Sequence, residues 1–294
     1  MTRYPWEKDL ARFLREDRAS QDVTSRAILP SRVEARGELI AQAPGVASGL
    51  RAAALLARRA GLKAQEGARD GDRVRRGDVV LTLVGPARRM LAVERTIVNL
   101  VMHLSGIATQ TSLVVARARA VRPGFRIAAT RKTLPGLRDL EKEAVVHGGG
   151  EPHRRDLASS LLVKGNHQRV AGFDRALRLA HRTAERRGLE LMVEVGNPEE
   201  AVEAVRGGSH RILVDNRTPR EVRAILSALA AEDLRKRTVV EVTGGITAAN
   251  VAAYARTGAD LASSGTLTHS APALPFHLVV RPLGTIMKGA YEHR

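Results

Sequence analysis

Cysteine is absent from the 294-residue chain. Its absence excludes disulfide frameworks, thiolate nucleophiles and cysteine-ligated zinc or iron–sulfur centres. Aromatic residues are scarce, with one Trp, three Tyr and four Phe, so few platforms exist on which single-stranded nucleic acid could stack. The sequence holds no uninterrupted run of roughly 18 apolar residues, the length a membrane span needs. Residues 1–18 carry Arg3, Glu7, Lys8 and Asp9 where a secretion signal would place an apolar segment. Neither a membrane span nor secretion is expected, and the expected location is cytoplasmic. The patterns G-x-S-x-G, H-E-x-x-H, G-x-x-x-x-G-K-[ST] and G-x-G-x-x-G are also missing, which removes serine-elbow hydrolases, zinc proteases, P-loop enzymes and dinucleotide folds.

What is present is positive charge: 48 Lys and Arg stand against 31 Asp and Glu, a net charge of +17. Such a surface attracts polyanions, either nucleic acid or a phosphorylated small molecule. Basic pairs such as Arg58-Arg59, Arg88-Arg89 and Arg186-Arg187 are scattered through helical patterns and form no single block. That distribution reads as a solvated basic surface, and nucleic acid is not an expected partner.

From residue 125 onward, short apolar runs alternate with helical patterns. The runs fall at 126–129, 160–163, 190–195, 211–214, 239–242 and 260–263, and the helical stretches near 137–147, 173–187, 198–206, 219–231 and 248–257. This rhythm predicts α/β architecture with parallel strands. Thr218-Pro219-Arg220-Glu221 reads as a capping box with proline in the first helical turn, and Asn197-Pro198-Glu199-Glu200 repeats the arrangement. The first hundred residues differ. Apolar alternation at 33–40 and 79–84 is broken by Asp70-Gly71-Asp72 and Arg76-Gly77-Asp78, which predicts a smaller α+β domain. Gly71-Asp72-Arg73-Val74 and Gly77-Asp78-Val79-Val80 resemble the hairpins of biotinyl and lipoyl carriers but lack the acceptor lysine, so a structural hairpin is expected there.

The predicted strands end in polar or phosphate-compatible groups: Thr130-Arg131-Lys132, Lys164, Glu194, Asp215, Thr243-Gly244-Gly245 and Ser264-Gly265-Thr266. Parallel α/β folds gather their active sites at this end of the strands, so cations, carboxylates and two small-residue loops should share one mouth. The two glycine loops suit phosphate held by backbone N–H groups. Glu194 and Asp215 suit ribose hydroxyls or a Mg²⁺ ion, with a salt bridge to the nearby lysines as the rival reading. After Gly148-Gly149-Gly150, His153 is expected to present a donor and Arg154 a guanidinium fork.

Taken together, these motifs resemble the quinolinate phosphoribosyltransferase family, also called nicotinate-nucleotide pyrophosphorylase (carboxylating). The resemblance runs through Gln21-Asp22-Val23-Thr24-Ser25, Val93-Glu94-Arg95-Thr96 with Asn99, His103-Leu104-Ser105-Gly106, Thr130-Arg131-Lys132-Thr133-Leu134-Pro135-Gly136 and the 148–150 glycines with His153-Arg154. It continues through Lys164 with Asn166-His167, Leu213-Val214-Asp215-Asn216, Thr243-Gly244-Gly245-Ile246 and Gly265-Thr266-Leu267-Thr268-His269-Ser270. The family's fold implies an N-terminal α+β sandwich domain at 1–105, joined by a returning tail at 270–294, and an incomplete (β/α) barrel of parallel strands at 106–269. Its reaction would join quinolinate to phosphoribosyl pyrophosphate with Mg²⁺, releasing pyrophosphate and CO₂ and giving nicotinate mononucleotide for NAD synthesis. A homodimer, or an oligomer built from dimers, is implied, with Arg95 of one copy reaching the other's site. The resemblance assigns substrate contacts to Arg95, Thr130, Arg131, Lys132, His153, Arg154 and Lys164. Ribose and metal fall to Glu194 and Asp215, and phosphate to Thr243, Gly244, Gly245, Ser264, Gly265 and Thr266.

The chain departs from the family pattern at Ala129, Pro152 and Gly165, at Gly196, and at Thr243, where aspartate, asparagine, aspartate, an acidic or polar residue, and serine respectively are usual. Most of these changes remove acids that would orient neighbouring cations, so the choice of base is open to change. Two other readings stay open at this point: a paralogous phosphoribosyltransferase for another pyridine or aromatic carboxylate, of the molybdenum-utilisation type, and a non-catalytic polyanion-binding protein on the same fold.

Overall fold

The computed structural model describes residues 4–284. In chain order its strands are β1 (Glu34–Ala41), β2 (Gly45–Val46), β3 (Lys63–Glu66), β4 (Arg73–Val74), β5 (Val79–Pro86), β6 (Arg126–Ala128), β7 (Leu161–Val163), β8 (Leu191–Val195), β9 (Arg211–Asp215), β10 (Val239–Thr243), β11 (Leu261–Ser263) and β12 (Phe276–Pro282). Two compact units share them. The first comprises Met1–Gln110, Pro135–Gly148 and Ala271–Arg294, and the second Thr111–Leu134 and Gly149–Ser270.

The first unit is built on a sheet of order β12-β1-β5-β3. Alternation along β1 turns Ala35, Leu39 and Ala41 inward, the period of two that a half-buried strand requires. Helix Leu50–Arg59 buries Leu50, Leu56 and a row of small residues, Ala52, Ala53, Ala54 and Ala57. Gly37 has a local reason: a Cβ there would lie 2.7 Å from the Met90 sulfur. The expected hairpin between 71–74 and 77–80 does not form. Instead β4 pairs with β2, whereas β5 pairs with β1 and β3, because the glycine turns end strands that find partners far along the chain.

β12 pairs antiparallel with β1, from Ala35 opposite Pro282 to Ala41 opposite Phe276. The predicted returning tail 270–294 therefore joins the first unit as far as it is described, and residues 285–294 lie outside the described residues. One segment expected within the barrel groups differently. Residues 135–148 belong to the first unit, where Trp6 Nε1 donates to Glu143 at 2.8 Å, His103 Nε2 meets Glu141 at 2.8 Å and His147 Nδ1 meets the Ser48 hydroxyl at 2.8 Å. Helix Ala87–Arg119 is long and apolar enough to cross a membrane by length and composition, but 61% of its apolar window is buried inside the protein.

The second unit holds a parallel sheet of order β6-β11-β10-β9-β8-β7. Its strands begin and end within two residues of the predicted runs. β8, β9, β10 and β11 are buried through their centres on both faces, as continuous Val, Ile and Leu runs demand. β6 and β7 are not paired, so the barrel-like sheet is open, and β6 instead forms a short parallel bridge from Ala128 to Glu151. That bridge brings the chain leading into His153 alongside the strand leading into Arg131.

The predicted helix starts are present. Thr218 closes a reciprocal capping box with Glu221. Asn197 accepts from Glu200 N, but the Glu200 carboxylate turns to Gly196 N instead of the cap residue's own amide. The helix expected at 248–257 is shortened to Val251–Ala255, because the Asn250 side chain accepts from Thr247 N and donates to Gly245 O, holding the preceding residues in a turn.

Candidate active site

A cavity of about 620 Å³ opens at the carboxyl ends of the parallel strands, and every predicted site residue except Arg95 lines it. Arg95 lies in the first unit, exposed, beside a separate cavity lined also by Arg12, Asp17, Asn99 and His103.

One wall of the strand-end cavity is cationic. Lys164 follows β7 directly, and its Nζ pairs with Glu194 Oε1 at 3.2 Å while Gly165 N donates to Glu194 Oε2 at 3.0 Å. The rival salt-bridge reading of Glu194 thus holds for one oxygen contact, and the residue still borders the cavity. Arg131, Lys132, Arg154 and Arg169 have no carboxylate within ion-pairing distance among the described residues. Arg131 Nε is buried without an acceptor. Burial, and then the adjacent Arg131 charge, push the Arg154 guanidinium below its ordinary range, against the pull of Glu194 and Asp156. Cations crowded in this way are relieved by a bound anion.

Asp215, the last residue of β9, and the two glycine loops line the same cavity. Asn216 Nδ2 donates to Asp215 Oδ2 at 3.1 Å, and Asn216 N donates to Thr243 O at 2.9 Å. Gly244 has φ of 83°, and a Cβ on it would meet Asn216 Oδ1 at 2.2 Å, so this turn admits only glycine without displacement. The Ser264 and Thr266 hydroxyls donate to Ile246 O at 2.6 and 3.2 Å, which staples the loop after β11 to the loop after β10. Thr243 Oγ accepts from Ser263 Oγ at 3.0 Å and keeps its own proton to donate. The site at Thr130 is likewise internal on one side, since its hydroxyl accepts from Lys132 N at 3.0 Å.

His153, expected to present a donor, lines the cavity but is largely enclosed. Its side chain is 6% exposed, Nδ1 accepts from Arg154 N at 2.8 Å, and Nε2 lies 3.2 Å from Glu241 Oε2. Both ring nitrogens are engaged within the protein. Sequence reasoning missed Glu241 and its second partner Arg211, whose Nε and Nη2 donate to Oε2 at 2.9 and 2.6 Å. The signal was a lone carboxylate inside the apolar run Val239-Val240-Glu241-Val242. Burial raises the Glu241 pKa, but the hydrogen bond from His153 and the charge of Arg211 outweigh it, so the carboxyl sits below its usual range. Arg169 was also missed; it stands one helical turn after Gly165 and rests on Asn166 Oδ1 at 2.6 Å.

Among the described residues no group of three or more His, Asp or Glu gathers to hold a metal ion. Of the three carboxylates that line the cavity, Glu241 is taken up by Arg211 and His153, which leaves Glu194 and Asp215 to meet a hard cation that keeps its waters.

Comparison with known proteins agrees with this architecture. Residues 22–105 match the family model for the N-terminal domain of quinolinate phosphoribosyl transferase, and residues 107–279 match that for its C-terminal domain. The chain is 38% identical over 92% of its length to a probable nicotinate-nucleotide pyrophosphorylase [carboxylating] of Methanothermobacter thermautotrophicus, covering 97% of that protein. It is 37% identical over 92% of its length to the nicotinate-nucleotide pyrophosphorylase [carboxylating] of Mycobacterium leprae, covering 95% of it. The crystal structure of NadC from Streptococcus pyogenes superposes with a TM-score of 0.86 at 31% identity, covering 97% of this chain and 99% of that one. These matches place the chain among phosphoribosyl-transferring enzymes. The chain belongs to the quinolinate phosphoribosyl transferase family.

Proposed function

We propose that this protein transfers the phosphoribosyl group of phosphoribosyl pyrophosphate to quinolinate and decarboxylates the product, giving nicotinate mononucleotide, pyrophosphate and CO₂ in NAD synthesis. The observation that carries the reading is a set of cations without carboxylate partners, Arg131, Lys132, Arg154 and Arg169, sharing one cavity with Glu194, Asp215 and glycine-lined loops.

Quinolinate is a planar dianion. Arg131 and Arg154, the more enclosed cations, fix its ring plane by guanidinium contacts, with Lys164 beside them. The ring nitrogen then forms a bond to ribosyl C1 as the C1–oxygen bond to the diphosphate breaks, and the electron pair leaves with the diphosphate. Positive charge gathers on the ribosyl carbon during this exchange, and Asp215 and Glu194 stabilise it while holding the ribose hydroxyls. The new pyridinium accepts the electrons of the adjacent carbon–carboxylate bond, CO₂ departs, and a proton from solvent takes its place on the ring. No protein nucleophile is needed. Asp215 and Glu194 would also hold a Mg²⁺ ion accompanying the diphosphate, which neutralises the leaving group. Backbone N–H groups of the loops at Gly244, Gly245 and Gly265 suit the 5-phosphate. Arg95 is exposed and makes no ion pair among the described residues, in keeping with a dimer in which it completes the site of a second copy.

The test incubates the purified protein with Mg²⁺, phosphoribosyl pyrophosphate and either quinolinate or nicotinate, following nicotinate mononucleotide and CO₂ by chromatography and mass spectrometry. Product with CO₂ from quinolinate alone is expected. Pyrophosphate release with a different ring acid, and none with quinolinate, would overturn the assignment of substrate.

A further inference from the structure

The reaction above makes no use of Glu241, yet this carboxylate forms part of the cavity floor with no exposed surface. A buried carboxylate is costly unless donors surround it. Here three N–H groups converge on a single oxygen, Oε2: two from Arg211 and one from His153, while Oε1 has no hydrogen-bond partner. So lopsided an arrangement fixes the direction from which His153 is held.

The imidazole passes that constraint on. Because Nδ1 accepts from Arg154 N, the ring proton resides on Nε2 and is donated to Glu241. The His153 backbone has φ of 54°, a left-handed conformation that is uncommon for a residue with a Cβ. The ring, tied at one nitrogen to the floor and at the other to the next peptide, holds it. The following side chain is Arg154, whose guanidinium has no carboxylate within ion-pairing distance among the described residues.

We infer that Glu241 is a positioning residue for substrate: through the His153 ring it locks the left-handed turn and aims the Arg154 guanidinium into the cavity. The identity of the substrate rests on the function proposed above, but the tether itself does not.

Two measurements test this. Imidazole ¹⁵N spectra of the unsubstituted protein, without substrate, should show His153 as the Nε2–H tautomer; an Nδ1–H tautomer would overturn the inference. Calorimetry should show quinolinate binding weakened about tenfold in Glu241→Ala, the scale of a lost charged hydrogen bond, with phosphoribosyl pyrophosphate binding within about twofold of the unsubstituted value. In an Arg154→Lys background, where a flexible point charge replaces the oriented fork, the same Glu241→Ala change should alter quinolinate binding by less than about twofold. Equal weakening of both substrates, or the full tenfold loss in the Arg154→Lys background, would mark Glu241 as structural and overturn the inference. Should Glu241→Ala not fold, Glu241→Gln is measured instead; it keeps an acceptor but not the charge, and about threefold selective weakening for quinolinate is expected. No change in that variant overturns the inference. If the unsubstituted protein forms no product from quinolinate, the proposed substrate fails while the tautomer result still stands or falls by itself.

Discussion

The two units treat their ionisable groups in opposite ways. In the first, buried polar groups close on one another: Trp6 on Glu143, His103 on Glu141, Ser48 on His147, and Asp70 on the amides of Leu50 and Arg51 at the start of a helix. Each of these donors and acceptors is satisfied within the protein and serves to hold segments distant in sequence. In the second, the Arg131 and Arg154 guanidiniums crowd one cavity without a carboxylate partner, and Arg131 Nε is buried with nothing to receive its proton. A repulsive cluster of this kind is destabilising alone, so its retention points to an anion that completes it. Polarity that is satisfied internally is architecture, and polarity left open toward a cavity is held for a ligand.

The comparison breaks or sharpens most strongly at the open end. Arg131→Ala should lower turnover at least about a hundredfold, the scale of losing one preorganised charged contact, with little loss of stability because no protein partner is orphaned. Lys164→Ala should lower it as far and also leave Glu194 without its cation. Near-native turnover in either variant would sink the reading of the cavity as the reaction site. Gly244→Ala comes next: with a positive φ and a Cβ 2.2 Å from Asn216 Oδ1, it should cost about 1–3 kcal/mol in stability and raise the KM for phosphoribosyl pyrophosphate more than that for quinolinate. At the closed end, Trp6→Phe leaves a half-buried Glu143 without its donor and should cost about 1–3 kcal/mol, read by urea unfolding. Its KM values should not move; a change in them would mean that the Trp6–Glu143 contact also acts on the substrate site.

Much of the second unit could be read from the chain because its strands are continuous apolar runs that stop at a polar residue, and the stopping residues are those that meet at the cavity. Arg131, Lys164 and Asp215 are legible for that local reason. Glu241 is not, since its partners Arg211 and His153 lie 30 and 88 positions away and nothing nearby announces them. The staple made by Ser264 and Thr266 is not legible for a similar reason: their hydroxyls have an acceptor, Ile246 O, that only the folded loops bring near. Residues 135–148 look like one more barrel helix, and only Trp6, Ser48 and His103 show that the segment groups with the first unit. The absent 71–80 hairpin makes the same point for strands, because turn residues mark where a strand ends without naming its partner.

The smallest effect concerns pH and belongs to the closed end. Burial holds the His147 imidazole below its ordinary value near 6.5, against the pull of Asp70. In the folded chain the neutral ring is therefore favoured, with Nδ1 against the Ser48 hydroxyl. Between the lowered folded value and 6.5 the unfolded chain binds the proton more readily, so stability rises with pH across that window. The contribution is fully present above the unfolded value and is lost as pH falls through the folded one. Urea unfolding at a series of pH values from neutrality downward should show this slope, and His147→Asn, which cannot titrate, should flatten it. An equal slope in both proteins would mean that another group sets the acid sensitivity of the first unit. Because His147 lies outside the cation-lined cavity, quinolinate added at saturation should raise stability at every pH by the same amount and leave the slope attributable to His147 unchanged.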